Sequence, residues 1–130
     1  MEHLTPKEAA QFLDDNPKAL FIDCRSEMEF LFVGHPKDCL HVSWNDGPDW
    51  EVNPHFVGEV KKLAGHAHDR PVVIICRSGN RSVDAGNALE AAGFERVYNV
   101  LHGFEGELDD DHHRGTTNGW RFDGLPWEQC

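Results

Sequence analysis

The chain has 130 residues, the size of one compact domain, because division into two cores would leave each half near the limit of independent stability. Lys plus Arg total 12 against 23 Asp plus Glu, and the net charge of -11 opposes binding to phosphate backbones or anionic membrane surfaces. The opening residues MEHLTPKEAAQF hold neither a basic segment followed by an apolar one nor a run able to span a bilayer, so a soluble, cytoplasmic protein with no nucleic-acid or membrane partner is expected.

Thr5-Pro6-Lys7-Glu8 has the form of a capping box, with Pro at the first helical position. It predicts a helix that places Ala9, Phe12 and Leu13 on one face and ends near Asn16-Pro17. Ala19 to Ile22, closed by Asp23, reads as a buried strand. Glu27 to Phe32 predicts a short helix stopped at Val33-Gly34-His35-Pro36, and Cys39 to Ser43 a weak strand. Trp44 to Pro54, with its tryptophans, prolines and glycine, reads as an ordered loop. Phe56, Val57, Val60 and Leu63 recur at helical spacing within 55–63. Pro71 to Ile75 is the clearest strand, its β-branched run leaving no polar face. Ser82 to Ala92 predicts a helix ended by Gly93, and Arg96 to Val100 a further strand. From Phe104 the text turns Gly-rich and charged, so residues 104–130 are expected to be an irregular tail anchored by its aromatics, Trp44, Trp50, Trp120 and Trp127 serving as loop anchors.

Strands alternating with helices of about ten residues imply an α/β fold, a mostly parallel sheet covered on both faces, in one domain over 1–130. Ligands of such sheets bind at the carboxyl ends of the strands. There stands Cys76-Arg77-Ser78-Gly79-Asn80-Arg81-Ser82. A helix entrance offers unpaired N–H groups and the positive end of its dipole, and two arginines add full charges. Such surroundings lower a cysteine pKa, and the thiolate is the nucleophile. Cys76 is thus the candidate nucleophile, with Arg77, Ser78, Gly79, Asn80, Arg81 and Ser82 forming an anion-binding loop in which Ser82 either bonds near the sulfur or, the favoured role, caps the helix. The gap from Cys76 to Arg81 is C-x4-R, one residue shorter than the C-x5-R loop that cradles a phosphoryl group. The tighter ring suits one terminal sulfur. Cys24, Cys39 and Cys130 lack these surroundings and are read as structural. The histidines at 66, 68, 112 and 113 have no accompanying ligand set of fixed spacing, so no metal is expected.

These motifs together resemble a single-domain rhodanese. Phe21-Ile22-Asp23-Cys24-Arg25 is similar to the family's I-D-x-R strand end, followed by Glu29-Phe30 and Gly34-His35. The segment from Cys76 to Ser82 resembles its C-x-x-G-x-R-S loop, and Gly119-Trp120 with Gly124-Leu125-Pro126-Trp127 the tail of small bacterial members. Two stretches depart from the pattern: His35-Pro36-Lys37-Asp38-Cys39, and His102-Gly103-Phe104 where many members have Gly-Gly. The resemblance implies a rhodanese-like fold around a five-stranded sheet. It also implies a sulfurtransferase that carries sulfur on a Cys76 persulfide, without a cofactor, from a small anionic donor such as thiosulfate to cyanide, a thiol or a protein acceptor. Asp23 and Arg25 are expected to support the loop as an ion pair. Competing readings are a phosphatase or arsenate reductase of related fold, a non-catalytic interaction module, and a redox sensor pairing Cys76 with Cys24 or Cys39. Nothing in the sequence sets the oligomeric state.

Overall fold

The computed structural model describes residues 1–130. Its elements in chain order are β1 (Glu2–Leu4), α1 (Pro6–Asp15), β2 (Leu20–Asp23), a π-helical turn (Glu29–Val33), β3 (His35–Pro36), β4 (Leu40–His41), α2 (Phe56–Leu63), β5 (Val72–Ile75), α3 (Arg81–Ala91), β6 (Val97–Val100) and β7 (Trp127–Glu128). The main sheet runs β1-β6-β5-β2-β4 with every neighbouring pair parallel, the expected α/β architecture around a five-stranded sheet.

Alternation along the strands divides the core between the two faces of this sheet. Phe21, Val73, Ile75, Tyr98 and Val100 face α1, where they meet Ala9, Phe12 and Leu13 together with Phe104 and Trp120 from the tail. Leu20, Ile22, Val72, Ile74 and Val97 face α2 and α3, where Phe56, Val60, Ala85 and Leu89 close over them. All four residues of β5 are therefore buried, as their unbroken apolar run requires. Each large side chain so buried contributes about 1.5–3 kcal/mol.

Helix α1 begins as its capping box dictates: Glu8 N donates to Thr5 Oγ1 at 3.2 Å and Thr5 N to Glu8 Oε1 at 2.9 Å. Five local points correct the reading of the sequence. Strand β1, three residues with an exposed polar half, carries no apolar signal and forms by adding to the edge of β6. The segment expected as a helix over 27–32 is a π-helical turn over Glu29–Val33, and the strand over 39–43 shrinks to Leu40–His41. Helix α3 starts at Arg81 after Asn80, and no side chain caps it. The tail is not wholly irregular, since β7 pairs antiparallel with β3 and Cys130 N donates to Leu31 O at 3.1 Å. Of the expected aromatic anchors Trp120 is buried and Trp44 packs edge-on against Phe56, whereas Trp50 is half exposed.

Candidate active site

Strands β2 and β5 end side by side in register, Asp23 opposite Ile75, so the next residue of each, Cys24 and Cys76, emerges at the carboxyl edge of the sheet. Cys24 N completes the ladder onto Ile75 O at 3.0 Å. From Cys76 the chain turns through Gly79, whose positive φ of 103° suits a residue without Cβ, and enters α3. The outer wall is the segment after β6: Phe104 N donates to Cys76 O at 2.8 Å and Glu105 N to Arg77 O at 3.0 Å. A Cβ on Gly103 would lie 2.4 Å from Cys76 O, so the wall can approach only as glycine. His102 beside it takes the left-handed conformation at φ 68°, a region that glycine enters without strain.

The Cys76 sulfur accepts from Gly79 N at 3.1 Å and lies 3.2 Å from Ser82 Oγ. Its thiol is held down to about 5. The leading cause is the neighbouring Cys24 thiol; burial opposes, and the Ser82 hydroxyl and the N–H groups of Ser82 and Gly79 add to the lowering. Burial in turn pushes Cys24 well above the ordinary thiol range, so the pair keeps one hydrogen, on Cys24, and one negative charge, on Cys76. Cys39 is raised by burial and stays a thiol.

The loop residues divide by exposure. Ser82 and Gly79 are buried against the sulfur, Ser78 is half-buried, and Arg77 and Asn80 face solvent. Arg81 does not stand free to meet an anion. Its guanidinium grips Glu29 with two bonds, Nη1 to Oε1 at 2.7 Å and Nη2 to Oε2 at 2.8 Å. Burial would raise Glu29, but Arg81, aided by Ser26, overrides it and holds the carboxyl down to about 2. This clamp ties the π-helical turn to the first residue of α3. Ser82 bonds the sulfur and the Asn99 Oδ1 atom of β6 at 2.5 Å, which corrects its expected role as a helix cap.

Asp23 and Arg25 form a wholly buried ion pair, Nη2 to Oδ2 at 2.7 Å. Arg25 also donates to Gly34 O and stacks over the Phe104 ring at 4.6 Å, so it joins the β2 end, the π-helical turn and the wall. Its place is behind the loop. The reading of Cys24 as merely structural is also corrected by its position beside Cys76. Glu29 and Asn99 enter the sequence only as parts of motifs that resemble the family, with no site role attached to either. A lone amide inside Val97-Tyr98-Asn99-Val100 was the available signal, because a buried amide requires partners. Two surface clefts, about 720 and 800 Å³, open at the amino ends of β2 and β5 and include no residue of 76–82. No helix is long and apolar enough to cross a membrane.

Residues 5–108 match the family described as Rhodanese-like domain. The fold superposes on the crystal structure of Rv0390 from M. tuberculosis with a TM-score of 0.87 and 40% identity, covering 100% of this chain and 98% of that one. The solution structure of the polysulfide-sulfur transferase homodimer from Wolinella succinogenes is 27% identical with a TM-score of 0.68, over 100% of this chain and 80% of that one. Thiosulfate sulfurtransferase GlpE of Actinobacillus pleuropneumoniae serotype 3 is 28% identical over 96% of this chain and 91% of its own.

Proposed function

Since the chain belongs to the rhodanese family, a family of sulfurtransferase type, we propose that it moves a sulfane sulfur from a small anionic donor such as thiosulfate, through Cys76, to a thiophilic acceptor such as cyanide or a thiol. The observation that carries this reading is a thiol held down to about 5 at the mouth of α3, with Gly79 N–H and Ser82 turned toward the sulfur.

The Cys76 thiolate attacks the outer sulfur of thiosulfate. A new S–S bond forms, the old one breaks, and its electron pair leaves with sulfite. The terminal sulfur of the persulfide is anionic and takes the place of the thiolate among the same donors. Cyanide then attacks that sulfur, thiocyanate departs, and the electron pair of the broken bond restores the Cys76 thiolate. Arg77, exposed and without an ion-pair partner, attracts the donor against a net charge of -11, while Arg81, engaged by Glu29, fixes the loop. No cofactor enters, and the short loop disfavours a phosphoryl group. Thiocyanate formation from thiosulfate and cyanide, absent in Cys76→Ser, is the expected result; hydrolysis of a chromogenic phosphate ester without thiocyanate formation would overturn it.

Cys24 beside Cys76 favours one further reading, a peroxide sensor. Peroxide would oxidise the Cys76 thiolate to a sulfenic acid, and Cys24 would then displace water to close a disulfide. An intramolecular 24–76 disulfide in protein that turns over no thiosulfate would put this reading first.

A further inference from the structure

A buried chain of hydrogen bonds leads from the sulfur to the surface. Cys76 Sγ lies 3.2 Å from Ser82 Oγ, Ser82 Oγ 2.5 Å from Asn99 Oδ1, and Asn99 Nδ2 3.1 Å from His3 Nδ1. Ser82 and Asn99 are wholly buried, whereas His3 is exposed on the edge strand β1. His3 stands directly across from Asn99 in the β1–β6 register, so the sheet itself brings the two side chains together.

The supply of hydrogens in this chain is limited. Ser82 has a single hydroxyl hydrogen. With Asn99 Oδ1 toward Ser82, that hydrogen goes to the amide and Cys76 must donate its own S–H to Ser82 Oγ, an arrangement only a thiol can satisfy. A thiolate, or a persulfide anion, has no hydrogen to give. It requires Ser82 to donate to the sulfur and Asn99 to turn its Nδ2 to Ser82 Oγ. The amide is nearly symmetric in shape, so a half-turn exchanges Oδ1 and Nδ2 within the same space. Oδ1 then faces His3, which must present an Nδ1–H. The polarity of the whole chain therefore follows the charge of the sulfur.

We propose that Asn99 and His3 are positioning residues for Cys76, with His3 donating from Nδ1 to hold the Asn99 amide in the orientation that lets Ser82 donate its hydrogen to the anionic sulfur. This deepens the sulfurtransferase reading, on which its importance for turnover rests. The other titratable groups around Cys76 are Cys24, at the end of β2, and Arg81 on α3, paired with Glu29; none of them hydrogen-bonds Asn99 or His3.

The test is the pH midpoint of Cys76 alkylation by iodoacetamide, read by peptide mass, in the full chain. His3→Phe, an exposed substitution, should raise the midpoint by about half a unit to one unit, the worth of a weakened bond to a charged sulfur. In a Ser82→Ala background the same substitution should shift nothing, because His3 acts through Ser82. Asn99→Asp, which can only accept from Ser82, should likewise raise the midpoint more with Ser82 present than without it. No shift on His3→Phe, or equal shifts in both backgrounds, would overturn the proposal. The readout is ionisation and not sulfur transfer. A protein that behaves as predicted here but forms no thiocyanate would sink the activity alone, and the converse result would sink the relay alone.

Discussion

Replacing Cys24 by alanine removes the thiol whose hydrogen most strongly favours the Cys76 anion. A hydrogen bond to a charged group is worth about 1.5–3 kcal/mol, so the alkylation midpoint of Cys76 should rise from about 5 by about one to two units. Cys24→Ser, which keeps a donor, should shift it less. A midpoint unmoved by the alanine variant would remove Cys24 from the site. The same depressed value links to stability. The folded thiol ionises below its ordinary value of 9.0, so its contribution is complete above about pH 9 and is lost as pH falls toward 5. The stability advantage of the native chain over Cys76→Ser should accordingly grow from pH 5 to 9 in urea titrations. Cys76 and its loop were legible because their chemistry lies within seven consecutive residues. Cys24, Asn99 and His3 stand far from 76 in sequence and are brought into line with the sulfur and Ser82 by the pairing of β2, β5, β6 and β1, while Glu29 comes from the π-helical turn through its bond with Arg81.

At the scale of elements, the Glu29–Arg81 pair joins the π-helical turn to α3, and both side chains are about four-fifths shielded. Glu29→Gln leaves a guanidinium facing an uncharged partner and should cost about 2 kcal/mol in denaturant unfolding, with slower alkylation of Cys76 because α3 loses its tether. Arg81→Lys should act in the same direction, since an ammonium cannot reproduce the two-bond fork, while Arg96→Lys should be near neutral. Equal effects of the two lysine variants would contradict the clamp. Most elements could be read from periodicity and caps: the capping box of α1, the doubly buried β5 and the apolar faces of α2 and α3 are all local signals. Strands β1, β3 and β7 are two or three residues long and gain their order from a partner. No local pattern could announce them. The π-helical turn escaped because its residues have helical composition, while its geometry is set by Arg25 bonding Gly34 O and by Trp127 packed on Gly34.

Over the whole molecule the charge is adverse to an anionic substrate, and the exposed cation nearest the nucleophile in sequence is Arg77. Arg77→Ala should therefore raise KM for thiosulfate several-fold, with a smaller change in kcat, and the difference from the native chain should shrink at high salt as screening removes long-range attraction. A change confined to kcat would assign Arg77 to the chemical step instead. The α/β class was legible at this scale because alternating elements admit few packings. The tail was not, since its role depends on distant contacts: Phe104 under Arg25, Trp120 against Phe21, and β7 along β3.

The central claim is that Cys76 accepts a sulfur atom. Intact-mass analysis after thiosulfate treatment, comparing the native chain with Cys76→Ser, tests it most directly. The account predicts a gain of one sulfur atom in the native chain, removed by cyanide and absent from the variant. No gain in the native chain, or an equal gain in both, would contradict it.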